Sequence, residues 1–277
     1  MEGIIVKNIS NDYVVLCKNG EYTCKPRGKF RNDKITPLVG DTVVIDPDNK
    51  YILDIKPRKN MLIRPSVANI DQALIVTSVK EPDFSTNLLD KLLVVITYNN
   101  IEPIICLTKL DLLNDSELKE TKKYIKYYES IGYKVILNTD KKELKEILKN
   151  KLTVITGQSG AGKSTLLNTL DKNLELKTNE ISKALGRGKH TTRHVELYHI
   201  YDGLVVDTPG FSAIDLSDIP NIGIRDNMKE MYDNLDDCKY RDCMHIKEDG
   251  CAVKKKVETG EILQSRYNNY KSFIERK

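Results

Sequence analysis

One stretch constrains this chain more than any other: Gly157-Gln158-Ser159-Gly160-Ala161-Gly162-Lys163-Ser164, spaced G-x-x-x-x-G-K-S. It follows a short apolar run, Leu152–Thr156, that reads as a buried strand, and it leads into a helix-like stretch, Ser164–Leu170. Strand, glycine-rich turn and helix in that order form the context in which this spacing cradles a polyphosphate. The glycines let the backbone curl so that its N–H groups face inward, and the helix N-terminus adds partial positive charge at the same place. Lys163 is expected to reach the outer phosphates and stabilise charge there, and the Ser164 hydroxyl to hold Mg²⁺. The bland alternative is a Gly/Ser-rich turn that binds nothing, and the strand and helix on either side speak against it. Residues Gly157 to Lys163, with Ser164 and Thr165, are the expected phosphate-binding segment.

The chain has 277 residues, more than one compact core holds and enough for two or three modest domains. Hydrophobic residues make up 40% and charged residues 30%, the balance of a soluble globular protein. No apolar run approaches the roughly 20 residues of a membrane-spanning helix. Met1-Glu2-Gly3-Ile4 lacks the basic-then-apolar opening of a secretory signal, so a cytoplasmic protein is expected. The net charge of +4 does not by itself indicate a nucleic-acid partner; the distribution of charge must decide. Cys17, Cys24 and Cys106 are scattered through apparent strands and read as reduced core residues.

Residues 1 to about 60 carry a pattern of five short strands, Ile4–Ser10, Tyr13–Lys18, Glu21–Lys25, Thr42–Asp46 and Tyr51–Ile55, separated by turn residues such as Asn19-Gly20 and Gly40-Asp41. They predict a small closed barrel, an OB-fold first and an SH3-like barrel second. Between the third and fourth strands, Lys25 to Lys34 holds five cations, one acid, one aromatic and one glycine. On a barrel loop, Arg27, Lys29 and Arg31 would contact RNA phosphates and Phe30 would stack on a base. The alternative is a solvated basic loop.

From about residue 68 strands and helices alternate: Gln72–Val79, Leu88–Tyr98, Pro103–Thr108, Ser116–Ile131, Tyr133–Leu137, Lys142–Asn150 and Leu152–Thr156, then two strands at His194–Ile200 and Gly203–Val206. This predicts a mostly parallel sheet covered on both faces, with ligands at the carboxyl ends of its strands. Beyond about residue 216 the chain is polar and helical in pattern, ending in a helix over Thr259–Arg276. Three units are expected: a barrel over 1–65, an α/β phosphate-binding domain over 66–220, and a mostly helical cysteine-bearing module over 221–277.

Two further stretches match the phosphate loop. Thr108-Lys109-Leu110-Asp111 ends a predicted strand. A carboxylate there can accept from both the N1–H and the N2–H₂ of guanine, which adenine cannot offer, and the Lys109 stem can lie over the ring. Asn is the commoner residue at the Thr108 position of GTPases. Asp207-Thr208-Pro209-Gly210 ends another strand, where Asp207 would hold Mg²⁺ through a water and Gly210 N–H would sense a γ-phosphate. Phe211 stands where many GTPases have a water-orienting glutamine, which predicts slow intrinsic hydrolysis. Between these lies Gly186-Arg187-Gly188-Lys189-His190-Thr191-Thr192-Arg193. There Thr192, ahead of Thr191, is the expected Mg²⁺ ligand, and His190 is a candidate for positioning the attacking water. The base-reading stretch precedes the phosphate loop instead of following it, so the domain reads as circularly permuted.

Cys238-x4-Cys243-x-His245-x5-Cys251 supplies three thiolates and one imidazole within fourteen residues. That is a complete tetrahedral donor set for one structural Zn²⁺, with no open position for catalysis.

Taken together, these stretches resemble the circularly permuted GTPase RsgA (YjeQ) family across the whole chain. Arg58-Lys59-Asn60, Arg64-Pro65, Ala68-Asn69-Ile70-Asp71-Gln72 and Gly188-Lys189-His190-Thr191-Thr192 match it as well. The chain departs from it at Leu137-Asn138-Thr139-Asp140, where the family often has a Ser-Ala pair near the guanine. The resemblance implies Mg-dependent GTP hydrolysis stimulated by the small ribosomal subunit, a role in late subunit maturation with rRNA as a partner, and a catalytic role for His190. A monomer is expected. Two competing classes are a P-loop kinase, which would need an acceptor site and a lid, and a non-enzymatic RNA-binding assembly protein, which would leave three nucleotide motifs idle.

Overall fold

The computed structural model describes residues 1–63, 65–171, 195–207 and 216–276, with the backbone alone for Arg31 and Asp207. Its N-terminal strands alternate as a barrel wall must. In β2 (Asp12–Cys17), Tyr13, Val15 and Cys17 are buried and the residues between them half-buried. β2 joins β1 (Glu2–Ile9), β3 (Gly20–Pro26), β4 (Thr42–Asp46) and β5 (Tyr51–Ile55) in a closed barrel of order β1-β2-β3-β5-β4. β1 returns antiparallel against β4, and β3 runs parallel to β5. That order is the OB-fold's, so the first expectation holds and the SH3-like alternative falls. A one-turn helix, α1 (Lys29–Asn32), sits where the sequence predicts a basic loop.

A polar clamp joins the barrel to the next segment of the chain. Arg58 donates through Nε and Nη2 to the two carboxylate oxygens of fully buried Asp41, both at 2.7 Å, and Nη2 also reaches the Thr36 carbonyl. A short hairpin, β6 (Met61–Leu62) and β7 (Val67–Ala68), then docks on the barrel through Ala68 N–H, which donates to the Val39 carbonyl at 2.9 Å. Asn69 Nδ2 donates to the Gly40 carbonyl, and Asn60 bonds both the N–H and the carbonyl of Ile70.

The central sheet follows the order β10-β9-β8-β11-β13-β12. Its strands are β8 (Gln72–Ser78), β9 (Glu102–Thr108), β10 (Lys134–Leu137), β11 (Leu152–Gly157), β12 (Leu197–Ile200) and β13 (Gly203–Asp207). All neighbours are parallel except β12 and β13. β8 and β11 are buried at every position, as central strands covered on both faces must be. Along β8 the faces alternate: Ala73 and Ile75 enter one apolar cluster, Leu74 and Val76 the other. Side chains cap the helices that lead out of this sheet. Ser85 accepts from Leu88 N–H at the head of α2 (Thr86–Tyr98), Asn114 and Glu117 form a capping box on α3 (Asp115–Ser130), and Asp140 accepts from Glu143 N–H on α4 (Lys141–Leu148). α5 (Lys163–Leu170) follows β11 and starts instead from Gly162.

The C-terminal module holds α6 (Asn221–Asp226), α7 (Lys229–Asp233), α8 (Ala252–Glu258) and α9 (Gln264–Ile274). The single terminal helix expected over Thr259–Arg276 is corrected. Gly260, at φ 80°, turns the chain out of α8, and α9 begins only at Gln264. A buried ion triad ties this module to the sheet domain. Arg266 on α9 donates to Asp90 on α2 at 2.6 Å, and to both oxygens of Glu230 on α7 at 2.8 and 2.6 Å. Tyr128 OH donates to Asp90 and Tyr127 OH to Glu230, both from α3. Among the described residues no helix is long and apolar enough to cross a membrane.

Candidate functional site

Because β9, β8, β11 and β13 are parallel, their carboxyl ends share one edge of the sheet. Thr108 ends β9, Gly157 ends β11 and Asp207 ends β13. The registers Ser78↔Thr108, Gly157↔Val76 and Ile155↔Asp207 set those ends nearly level. Three stretches far apart in the chain thus arrive side by side, where open α/β sheets collect ligands. β11 lies among the central strands although it is late in the chain, as the permuted order predicts.

Gly157 has φ 135°, and a Cβ there would lie 2.0 Å from the Val76 carbonyl oxygen, so no other residue can leave β11 this way. The turn continues through Gln158, Ser159, Gly160, buried Ala161 and Gly162, and α5 opens at Lys163. Ser164 and Thr165 occupy its first turn, so their backbone N–H groups belong to the set an α-helix leaves without internal partners. Lys163 Nζ donates to the carbonyls of Gly157 and Gln158, both at 2.8 Å, which folds the ammonium back over the loop.

Thr108 is almost fully buried, and its Oγ1 donates to the Ala161 carbonyl at 2.7 Å. The hydroxyl is therefore committed to the glycine-rich loop and ties it to the Thr108–Asp111 stretch. Lys109 sits at φ 63°, and its Nζ donates to the Glu81 carbonyl in the connection after β8. A 3₁₀ turn over Leu110–Leu112 then leaves Asp111 exposed at the rim. Three residues on, Asn114 N–H donates to Glu117, and Lys80 Nζ bonds both Glu117 oxygens at 2.9 Å. The Asn114 backbone bond and then Lys80 hold the Glu117 carboxyl below its ordinary range. Glu81, Lys80 and Glu117 brace the Thr108–Asn114 stretch, and sequence reasoning misses them: isolated charges in a loop and a helix start carry no spacing signal. After the neighbouring β10, Asn138 N–H donates to the Leu107 carbonyl, and Asp140 is occupied in capping α4.

His190 and Thr192, with the rest of Gly186–Arg193, lie outside the described residues, as do Arg64 and the stretch from Thr208 to Phe211. The structure gives Asp207 its place in the backbone, at the end of β13.

Cys238, Cys243, His245 and Cys251 converge, and their ligand atoms all lie within 4.8 Å of one another. His245, at φ 59°, turns Nδ1 toward the thiols, 3.3 Å from Cys251 Sγ and 3.6 Å from Cys238 Sγ. Its Nε2 lies 3.0 Å from the Met231 carbonyl, an acceptor that fixes the ring in the orientation a metal ligand needs. Backbone N–H groups of Ala252 and Lys254 donate to the sulfurs of Cys238 and Cys251. Tyr267 and Tyr270 on α9 donate to the carbonyls of His245 and Met244, both at 2.7 Å. Burial pushes the Cys243 thiol up to about 12 in the absence of a cation. Three clustered sulfurs in so poor a solvent for charge can ionise together only around a cation. The four donors could hold one metal ion and would leave no position open.

In the barrel, a groove of about 500 Å³ is lined by Tyr13, Lys25, Arg27, Phe30, Ile35 and Pro37 among others. Arg27 and Lys29 are exposed beside it, and the Lys29 ammonium lies 5.1 Å from the Phe30 ring centre. Phe30 itself is only 4% exposed. The expectation that it stands free to stack on a base is therefore corrected. α1 turns the ring inward, and burying a phenylalanine is worth about 1.5–3 kcal/mol.

A family model described as RsgA GTPase matches residues 55–217, and one described as RsgA N-terminal domain matches residues 2–52. The chain is 52% identical over 282 residues to the small ribosomal subunit biogenesis GTPase RsgA 2 of Oceanobacillus iheyensis, covering 99% of this chain and 96% of that one. It is 50% identical over 280 residues to the small ribosomal subunit biogenesis GTPase RsgA of Enterococcus faecalis, covering 99% and 94%. Among solved structures it is similar to YloQ, a circularly permuted GTPase (41% identity, TM-score 0.84, 99% and 93% covered). It is also similar to YjeQ from Thermotoga maritima (37% identity, TM-score 0.86, 99% and 97% covered).

Proposed function

The chain belongs to the RsgA GTPase family, and on that premise we propose that it works as a GTP-dependent switch late in the maturation of the small ribosomal subunit. It is a GTP-hydrolysing enzyme of ribosome biogenesis. The observation that carries the site assignment is the Thr108–Ala161 bond, which joins a base-reading stretch to a phosphate loop on one sheet edge. Asp111 accepts from the guanine edge while the Lys109 stem, steadied by the Glu81 carbonyl, covers its plane. The residues from Gly157 to Thr165 wrap the phosphates, and Lys163 stabilises the charge that develops as water attacks the γ-phosphorus. Magnesium held near Ser164, Thr192 and Asp207 would neutralise phosphate charge. His190 orients the attacking water.

The metal of the C-terminal cluster is zinc. Its donor set is the borderline-soft sulfur and imidazole combination that zinc prefers, and sulfurs about 2.3 Å from one ion fit within the observed spread. The three working units are the barrel over 1–65, the GTPase domain over 66–220 and the zinc module over 221–277. The protein acts as a cytoplasmic monomer, and Arg27, Lys29 and Arg31 on the barrel contact rRNA phosphates.

Nucleotide competition with the Asp111→Asn variant tests the base site. The amide presents a donor where the carboxylate accepted, so GTP affinity falls and xanthosine triphosphate affinity rises. Unchanged GTP affinity in that variant contradicts the assignment.

A further inference from the structure

The first strand closes the barrel and also reaches the central sheet. The pairing of β1 with β2 slips by one residue between Ile5 and Lys7, so Val6 is an inserted, bulged residue. A bulge bends its strand and re-aims the side chains beyond it. Just past this one, Lys7 forms an antiparallel bridge to Glu196, outside the barrel, and its Nζ donates to Glu196 Oε1 at 2.8 Å. Glu196 directly precedes β12. The register of β12 on β13, Leu197↔Val206 through Ile200↔Gly203, sets Glu196 opposite Asp207 when continued by one pair. Lys7 thus pairs with the residue that leads into β12, and β12 pairs with the strand that ends at Asp207. The bonds run from the barrel wall to the strand that ends in the magnesium-organising segment.

We propose that Lys7 and Glu196 are a positioning pair: they hold the strand segment beside Asp207 in register with the barrel, so that a barrel held by the small subunit sets the hydrolysis rate. This rests on the proposed subunit-dependent switch. The two side chains are about one-third exposed, at 34% and 33%, so the pair adds little to the stability of the fold. Glu196 draws the Lys7 ammonium above its ordinary pKa, which keeps it charged wherever the carboxylate is. A link this weak can break and re-form, as an element that biases an equilibrium must, and a coupling of about fivefold is the low end of what such elements carry.

The experiment titrates small subunits into full-length, zinc-loaded protein at saturating GTP and follows phosphate release. In Lys7→Met and in Glu196→Gln the unstimulated rate and the half-saturating subunit concentration stay at wild-type values, while the maximal stimulated kcat falls about fivefold. Lys7→Arg, which preserves the ion pair, keeps most of the stimulation. Glu196→Gln retains side-chain volume and backbone pairing, so the outcome does not hang on one variant folding. Full stimulation in both Lys7→Met and Glu196→Gln overturns the inference. So does a rise in half-saturating concentration at unchanged kcat, which would make Lys7 an RNA contact. A wild-type protein that subunits do not stimulate overturns the switch itself, and the inference with it.

Discussion

Replacing Thr108 by valine isolates the strut between the two stretches proposed to hold the nucleotide. Valine keeps the branched shape, so the buried position is still filled and the change removes one hydroxyl. What is lost is the 2.7 Å bond from Oγ1 to the Ala161 carbonyl. Thr108 is 3% exposed and Ala161 fully buried, so water cannot replace the donor. Leaving a buried acceptor without its partner costs about 1–3 kcal/mol. Part of that is borne by the free protein and part by the complex, in which the loop must be held against the base-reading stretch. If about 1–2 kcal/mol falls on binding, GTP affinity weakens about five- to thirtyfold, at 1.4 kcal/mol per tenfold. The assay is equilibrium titration with a fluorescent guanine nucleotide, with inorganic triphosphate as competitor to read the phosphate loop alone. Guanine nucleotides lose more affinity than triphosphate, because the strut matters most when both ends of the ligand are held. A melting temperature that drops while GTP affinity stays within twofold of wild type would refute the reasoning and leave the bond a matter of stability alone.

Other perturbations act on contacts of the same kind. Arg266→Met removes the shared partner of Asp90 and Glu230 and strands two carboxylates in the core, so urea unfolding should report a loss of about 3–5 kcal/mol; a loss below about 1 kcal/mol would mean that the triad contributes no net stability. Freshly purified protein should carry one zinc per chain by metal analysis, and Cys243→Ser or chelation should release it and expose the C-terminal module to protease while GTP binding persists. His190→Ala should remove most of the subunit-stimulated rate and leave GTP and subunit binding near wild type; full stimulation in that variant would make the histidine a bystander.

The parts of this fold legible in the sequence are those with a local period or a fixed spacing. The phosphate loop is legible because its glycines answer local backbone demands, such as the φ of 135° at Gly157. The barrel strands are legible because one face of each is buried, which imposes alternation. The Cys/His set is legible because its ligands sit within one short segment. Contacts between distant segments leave no such trace. Arg266 and Asp90 are 176 residues apart, and nothing in the local pattern of either helix names a partner, yet both are buried in one network. Arg58 and Asn69 match the family, but nothing local says that they clamp the hairpin to the barrel. Phe30 reads as presented to solvent because a cationic run reads as a loop, and the single turn of α1 reverses that.

The most direct test of the account is GTP hydrolysis by the purified protein with small ribosomal subunits, with large subunits, or alone. Turnover should be slow alone and with large subunits, and small subunits should accelerate it by the order seen when a partner completes a GTPase site, about 10³- to 10⁵-fold at most. Equal rates under all three conditions, or equal stimulation by either subunit, would contradict it.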